Sequence, residues 1–152
     1  MTEPVASPWV PTWDPAAIED LRARLARTRS PIAPPDTGAY GRLSIIAQWL
    51  CDTELLFHIN PKAFTPPPQV QSTVVRLTPR VDPIPARRET LERVTAAAFG
   101  QRRKMLRQSL RSLGLDAEGL CRTVGIDPTA RAETLTVAQF CALANTVDAS
   151  KG

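Results

Sequence analysis

The chain has 152 residues, 43% hydrophobic and 22% charged, with 19 Lys and Arg against 15 Asp and Glu for a formal net charge of +4. That composition suits one ordinary domain or two small ones with a workable core, and it excludes wholesale disorder. Three widely spaced cysteines, Cys51, Cys121 and Cys141, form no C-x-x-C pair and exclude a disulfide framework or a zinc ribbon.

Those thiols point to a reducing interior. No apolar run approaches the roughly eighteen residues of a membrane span, and the start lacks the basic-then-apolar order of a secretory signal. The expectation is therefore a cytoplasmic chain with no membrane partner and no metal. The 15 prolines are about twice the average share and cluster at 31–35, 61–68 and 79–85, which marks loops and boundaries.

In chain order, residues 1–30 begin with a Pro/Trp-rich lead containing Trp9 and Trp13. A short helix is predicted next, with Asp14 as its cap, Pro15 at its first position and Ile18, Leu21 and Leu25 on one face. Residues 31–38 cannot continue a helix and read as a linker. A helix is predicted from about Tyr40 to Cys51, with Leu43, Ile46, Ala47 and Leu50 inward. Two strands follow, near 55–59 and 72–77, the second buried mainly on one face, separated by a loop too long for a tight turn. From about Arg87 onward the chain reads as helix. Residues 88–99 turn Leu91, Val94 and Ala98 inward, and 101–113 turn Leu106, Leu110 and Leu113 inward. Gly114 and Gly125 are predicted helix stops, flanking a short helix over 117–124. Thr136-Val137-Ala138-Gln139 is a capping-box pattern for a last helix with Phe140, Leu143 and Ala144 inside.

Charge is concentrated rather than spread. Arg87 to Arg111 holds eight Lys or Arg against two acids, Glu89 and Glu92, and no acid lies between Glu92 and Asp116. On a continuous helix Arg103, Arg107 and Arg111 would form one stripe flanked by Arg102 and Lys104. Guanidinium forks match phosphate oxygens in pairs, so the stripe fits a polyanion. A solvated face of a small bundle is the alternative. In the loop, Phe64 heads Pro66-Pro67-Pro68, whose stiffness lowers the entropy lost on docking a ligand. An aromatic ring so displayed can stack on an unpaired base, worth about 1–3 kcal/mol. The alternative is a core phenylalanine followed by a strand stop. His58, without a Cys or carboxylate nearby in sequence, and Trp9, Trp13 and Trp49 read as structural; Asp127 before Pro128 reads as a cap or turn.

Several ordered motifs share one resemblance. Tyr40-Gly41-Arg42-Leu43-Ser44, Ala63-Phe64-Thr65-Pro66-Pro67-Pro68, Ser72-Thr73-Val74-Val75-Arg76-Leu77, Ala98-Phe99-Gly100-Gln101-Arg102-Arg103-Lys104-Met105-Leu106-Arg107 and Gly125-Ile126-Asp127-Pro128-Thr129-Ala130-Arg131-Ala132-Glu133 resemble the C-terminal part of the small-subunit ribosomal RNA adenine dimethyltransferases, over about Gly38 to Val147. That family transfers methyl groups from S-adenosylmethionine to N6 of two adjacent adenines, using a Rossmann-like catalytic domain followed by a small helical domain. The resemblance implies an α+β fragment. Residues 39–80 would be the terminal helix and two-strand piece of the methyltransferase sheet, and 87–148 the all-α domain. It places Phe64, Pro66, Pro67 and Pro68 on the target-base loop. It also places Arg102, Arg103, Lys104, Arg107 and Arg111 on a surface that meets small-subunit ribosomal RNA.

The departures are as informative. The glycines at 38, 41, 100, 114, 119, 125 and 152 form no G-x-G turn, and no Asn-Leu-Pro-Tyr motif exists, since the single tyrosine is Tyr40. The chain alone is expected neither to bind S-adenosylmethionine nor to transfer methyl groups. Residues 17–29 do not resemble the dimethyltransferase but weakly resemble the N-terminal helix of epoxide hydrolases, which suggests a fused or truncated product with an unrelated segment 1–30. Three readings follow: a remnant keeping RNA-contacting surfaces without catalysis, a non-catalytic helical interaction module with no RNA role, or an enzyme completed by a separate catalytic chain.

Overall fold

The computed structural model describes residues 32–69 and 72–150. The predicted helix at 14–30, with Trp9 and Trp13 before it, lies outside the described residues. Helix α1, Arg42–Leu50, starts at Gly41, whose N–H donates to Ser44 Oγ at 3.1 Å. It runs directly into strand β1, Cys51–Ile59, which pairs antiparallel with β2, Ser72–Pro79, in the register Cys51↔Pro79 to Ile59↔Ser72. A bulge between Leu55 and Phe57 interrupts the ladder.

Two 13-residue helices follow, with four shorter helical elements between them. Helix α2, Arg88–Gly100, precedes a turn and the one-turn helix α3, Leu106–Ser109, which passes into a 3-10 turn at Leu110–Leu113. Gly114 ends that turn at φ 74°, and Gly125, also at φ 74°, closes the region after helix α4, Ala117–Thr123. A positive φ is accessible to glycine at no steric cost, so both predicted stops have their reason in the backbone. A second 3-10 turn, Ala132–Thr134, leads to helix α5, Val137–Ala149. There Gln139 N–H donates to Thr136 Oγ1 at 3.3 Å and Thr136 N–H to Gln139 Oε1 at 2.9 Å, the predicted capping box.

The core sits among the helices, and α1 belongs to it. Tyr40, Ile45 and Trp49 are buried together with Leu91, Val94 and Ala98 of α2, Leu106 and Leu110, Leu120 and Cys121 of α4, and Phe140, Leu143 and Val147 of α5. Thr90 Oγ1 donates to Asp148 Oδ1 at 2.7 Å, joining the start of α2 to the end of α5. The connection after β2 is fastened at two carbonyls: Trp49 Nε1 donates to Ile84 O at 2.7 Å, and Asn145 Nδ2 to Pro85 O at 2.8 Å.

Three expectations need correction. The inward face of α1 is Ser44, Ile45 and Trp49, whereas Leu43, Ile46, Ala47 and Leu50 are half-buried. Apolar residues stand on both faces of the helix, and the helical core takes the one that carries Ile45 and Trp49. The hairpin has no buried face: Leu55, Leu56, Phe57 and Leu77 are 46, 42, 56 and 45% exposed, because no second layer covers two strands alone. Residues 101–113 are not one helix. The amides that would extend it are captured elsewhere, Leu106 N–H by Ala130 O at 2.8 Å and Arg107 N–H by Pro128 O at 3.0 Å, while Met105 bridges to Arg131.

All three cysteines are free thiols. Burial pushes Cys141 up to about 11, and it also raises Cys121, with Asp127, Asp116 and Glu118 adding to the effect. Because the thiolate is the reactive form, iodoacetamide at mildly alkaline pH should label only the half-buried Cys51 in the native chain and all three after denaturation. Equal native labelling of Cys51, Cys121 and Cys141 would contradict this packing.

Candidate nucleic-acid interface

Helix α2 ends at Gly100, and Gln101 to Lys104 form a turn closed by Lys104 N–H to Gln101 O at 2.8 Å. This turn carries three consecutive cations, and they divide into two kinds. Arg103 and Lys104 are exposed and, among the described residues, make no ion pair. Arg102 turns inward, its side chain 22% exposed. Its Nη1 donates to Tyr40 O at 2.6 Å, and its Nη2 to Thr37 O at 3.1 Å and Gly38 O at 3.2 Å. Nε lies 3.9 Å from a Glu133 carboxylate oxygen, and the guanidinium carbon sits 5.7 Å over the Phe99 ring. Arg102, expected on the RNA-meeting surface beside Arg103 and Lys104, instead has three of its donors on the protein's own carbonyls.

The aromatic residues beneath it form a continuous group. Phe99 stacks on Phe140 with centroids 5.8 Å apart and meets Tyr40 edge-on at 6.1 Å. Asp36, held at φ 63°, donates its N–H to Glu133 O at 2.8 Å. Residues 32–38 of the segment read from its prolines as a 31–38 linker are thus pinned to the helical core. Sequence reasoning missed Tyr40, Phe99 and Glu133 as partners of Arg102. The signal available was Phe99-Gly100-Gln101-Arg102 itself, an aromatic three positions before an arginine.

A depression of about 390 Å³ is lined by Gly100, Gln101, Arg102, Arg103 and Lys104. Arg107 and Arg111 do not share it. They line a smaller one of about 160 Å³ with Leu115, Asp116, Ala117 and Glu118, so the predicted helical stripe is broken into two patches. Two acids weaken the second patch, though Glu118 is paired with Arg122 at 2.7 Å. The first patch is the more electropositive, because three cations and no acid line it.

Phe64 lies outside the core at 39% exposure, at the end of a 3-10 turn over Pro61–Ala63 that Asn60 caps by accepting Lys62 N–H at 3.0 Å. Pro66 and Pro67 are exposed and Pro68 half-buried, with a cis bond between Thr65 and Pro66. The core alternative for Phe64 does not hold. The hairpin carries the Phe64 loop, and the helical core carries the basic turn. His58 Nδ1 lies 2.8 Å from Thr73 Oγ1, and among the described residues no group of three His, Cys, Asp or Glu could hold a metal. Asp127 takes the predicted turn role: its carboxyl accepts Thr129 Oγ1–H at 2.7 Å and Thr129 N–H at 2.8 Å, bonds that hold its pKa below the usual value. No described helix is long and apolar enough to cross a membrane.

Nucleotide cofactors in doubly wound folds sit where a glycine turn joins a strand to a helix N-terminus. Here the two strands are antiparallel, and no glycine lies in 80–87 between β2 and α2.

The fold is that of part of a methyltransferase. A dimethyladenosine transferase from Plasmodium falciparum superposes with a TM-score of 0.66 at 17% identity, covering 80% of this chain and 53% of that one. The 23S rRNA methyltransferase ErmE does so with a TM-score of 0.54 at 21% identity, covering 82% of this chain and 51% of its own. The ribosomal RNA adenine dimethylase family model matches residues 25–149, so the chain belongs to that family. Ribosomal RNA small subunit methyltransferase A of Rhodospirillum rubrum is 68% identical over 119 residues, 78% of this chain and 41% of that protein. Its namesake from Bradyrhizobium diazoefficiens is 51% identical over 137 residues, 90% of this chain and 47% of that protein. The chain spans about half the length of such relatives or less. The family match begins ahead of Gly38 and takes in residues 25–29, which lie in the stretch expected to be unrelated to the dimethyltransferases.

Tyr40 is the single tyrosine and reports directly on this site. Burial raises its phenol from 10.0 to about 12. Since the folded pKa is the higher one, the stabilisation is complete below pH 10 and is lost between about 10 and 12 as the phenolate forms. Ultraviolet titration should give a midpoint near 12 for the native chain and near 10 in denaturant. A native midpoint at 10 would place Tyr40 in water.

Proposed function

We propose that this chain is the substrate-side portion of a ribosomal RNA adenine dimethyltransferase, holding small-subunit ribosomal RNA without the methyl donor. On this reading residues 39–80 are the last helix and final two strands of the catalytic sheet, and 87–148 are the helical domain. The uncovered hairpin and the half-buried outer face of α1 are what such a piece would leave, since both would pack on the rest of the sheet in a longer protein. Phe64, with Pro66, Pro67 and Pro68, faces the target adenine, and Arg103, Lys104, Arg107 and Arg111 meet the RNA backbone. The observation that carries the reading is the pair Arg103 and Lys104, both exposed and without an ion-pair partner among the described residues, on a turn inside a family-matched sequence. S-adenosylmethionine would be bound by the remainder of a full-length enzyme and not by this chain, so turnover would require that remainder.

One observation favours the second reading, a helical interaction module without an RNA role: Asp116 and Glu118 share the depression of Arg107 and Arg111. RNA affinity separates the two. Binding of the chain to a small-subunit ribosomal RNA fragment should weaken steeply with salt, with about 0.7 of log–log slope for each phosphate neutralised on single-stranded RNA. Arg103→Ala and Lys104→Ala should each lower that slope by about the same amount, and Arg103→Glu with Arg107→Glu should abolish binding at physiological salt. Affinity that is absent in the parent, or flat with salt, would sink the RNA reading. A calorimetric titration with S-adenosylmethionine is expected to show no binding.

A further inference from the structure

The basic turn contains three adjacent cations, yet they cannot all do the same job. A guanidinium has five N–H donors, one on Nε and two on each terminal nitrogen. In Arg102 three of them point at the carbonyls of Tyr40, Thr37 and Gly38, and the fourth, on Nε, faces Glu133. The N–H on Nε, 3.9 Å from the Glu133 carboxylate, and one on Nη1 make no hydrogen bond, but they do not lie side by side on one edge of the fork, whereas bidentate capture of a phosphate needs two parallel ones. Phe99 covers one face of the group. Arg102 is thus engaged by its own protein through three of its five donors while Arg103 and Lys104 remain open to solvent.

What Arg102 joins is also specific. The three carbonyls belong to the 37–40 segment that leads into α1, and the guanidinium belongs to the turn that ends α2. Closing this contact fixes the turn's shape, because Gln101 and Lys104 are already bonded to each other across it. The 37–40 carbonyls also stay converged, Thr37 O accepting Tyr40 N–H at 3.1 Å.

We propose that Arg102 is a positioning residue: it clamps the 37–40 segment to the Gln101–Lys104 turn and so presents Arg103 and Lys104 to RNA, without contacting a phosphate itself. The RNA half of this inference rests on the function proposed above; the clamp does not. A lysine cannot replace the guanidinium, since an ammonium has no planar face to lay on Phe99 and no fixed fork to span carbonyls on both sides.

The test uses Arg102→Lys, which keeps the charge, beside Arg102→Ala and the milder Phe99→Leu, should the alanine variant not fold. Two readouts are taken on the whole chain, the ultraviolet titration of Tyr40 and affinity for the small-subunit ribosomal RNA fragment well below the melting midpoint. The clamp predicts that the Tyr40 midpoint moves from about 12 toward 10 in Arg102→Lys, with part of that shift in Phe99→Leu. Presentation predicts that folded Arg102→Lys loses about tenfold or more in RNA affinity although no charge was removed. Parent-like RNA affinity in a folded Arg102→Lys overturns the positioning role. An unmoved Tyr40 midpoint in that variant overturns the clamp. A moved midpoint together with no RNA binding by the parent chain supports the clamp and overturns the RNA reading instead.

Discussion

The described chain is organised around a cation that its own backbone solvates. Three peptide carbonyls, a phenylalanine face and a carboxylate surround the Arg102 guanidinium, and the groups that supply them come from four places: the 37–40 segment, the end of α2, the 3-10 turn at 132–134 and, through the Phe99–Phe140 stack, α5. Withdrawing a charge this far from water is costly unless its donors are satisfied. The contact is therefore close to all-or-none: every partner is in place, or the arginine returns to solvent and the segment before α1 loses its anchor. Tyr40, buried beside it, shares the same fate.

This arrangement gives α1 to the helical core and leaves the hairpin outside. The polypeptide passes from α1 into β1 without a break, yet Ile45 and Trp49 are buried while Leu55, Leu56 and Phe57 two turns of chain later are largely in water. Such an apolar, unpaired-edge hairpin is an association hazard when it stands alone. The chain spans 41% of its Rhodospirillum relative, and on the function proposed above the rest of such a longer protein would supply the covering layer. The Phe64 loop is attached to the less supported part and the Arg103–Lys104 turn to the better supported one. Base contact and phosphate contact would thus be carried by parts of unequal stiffness, with the phosphate side the more preorganised.

Much of this was legible in the sequence where chemistry is local. Gly114 and Gly125 stop helices by adopting positive φ, Thr136 and Gln139 close a capping box, and Leu91, Val94 and Ala98 fall inward at helical spacing, each decided within four residues. The errors lie where distant backbone intervenes. The periodicity of 101–113 describes an amphipathic helix well, but the carbonyls of Pro128 and Ala130 take its amides, and no local rule anticipates that. The face of α1 was misread because Leu43, Ile46, Ala47 and Leu50 make one apolar face and Ile45 and Trp49 another, and only the packing partner decides between them. Arg102 looked like its two neighbours because composition cannot tell an engaged guanidinium from a free one. The ordered motifs carried the family assignment without needing any of these details, and the matched family model supports them across 25–149.

Native-state hydrogen exchange on the unmodified chain tests the central claim, that α1 and the helical core form one unit clamped through Arg102. The account predicts that amides of Arg42–Leu50 open with the same free energy as those of α2 and α5, while those of β1 and β2 exchange orders of magnitude faster. Amides of α1 exchanging together with the hairpin, well ahead of α2 and α5, would contradict it.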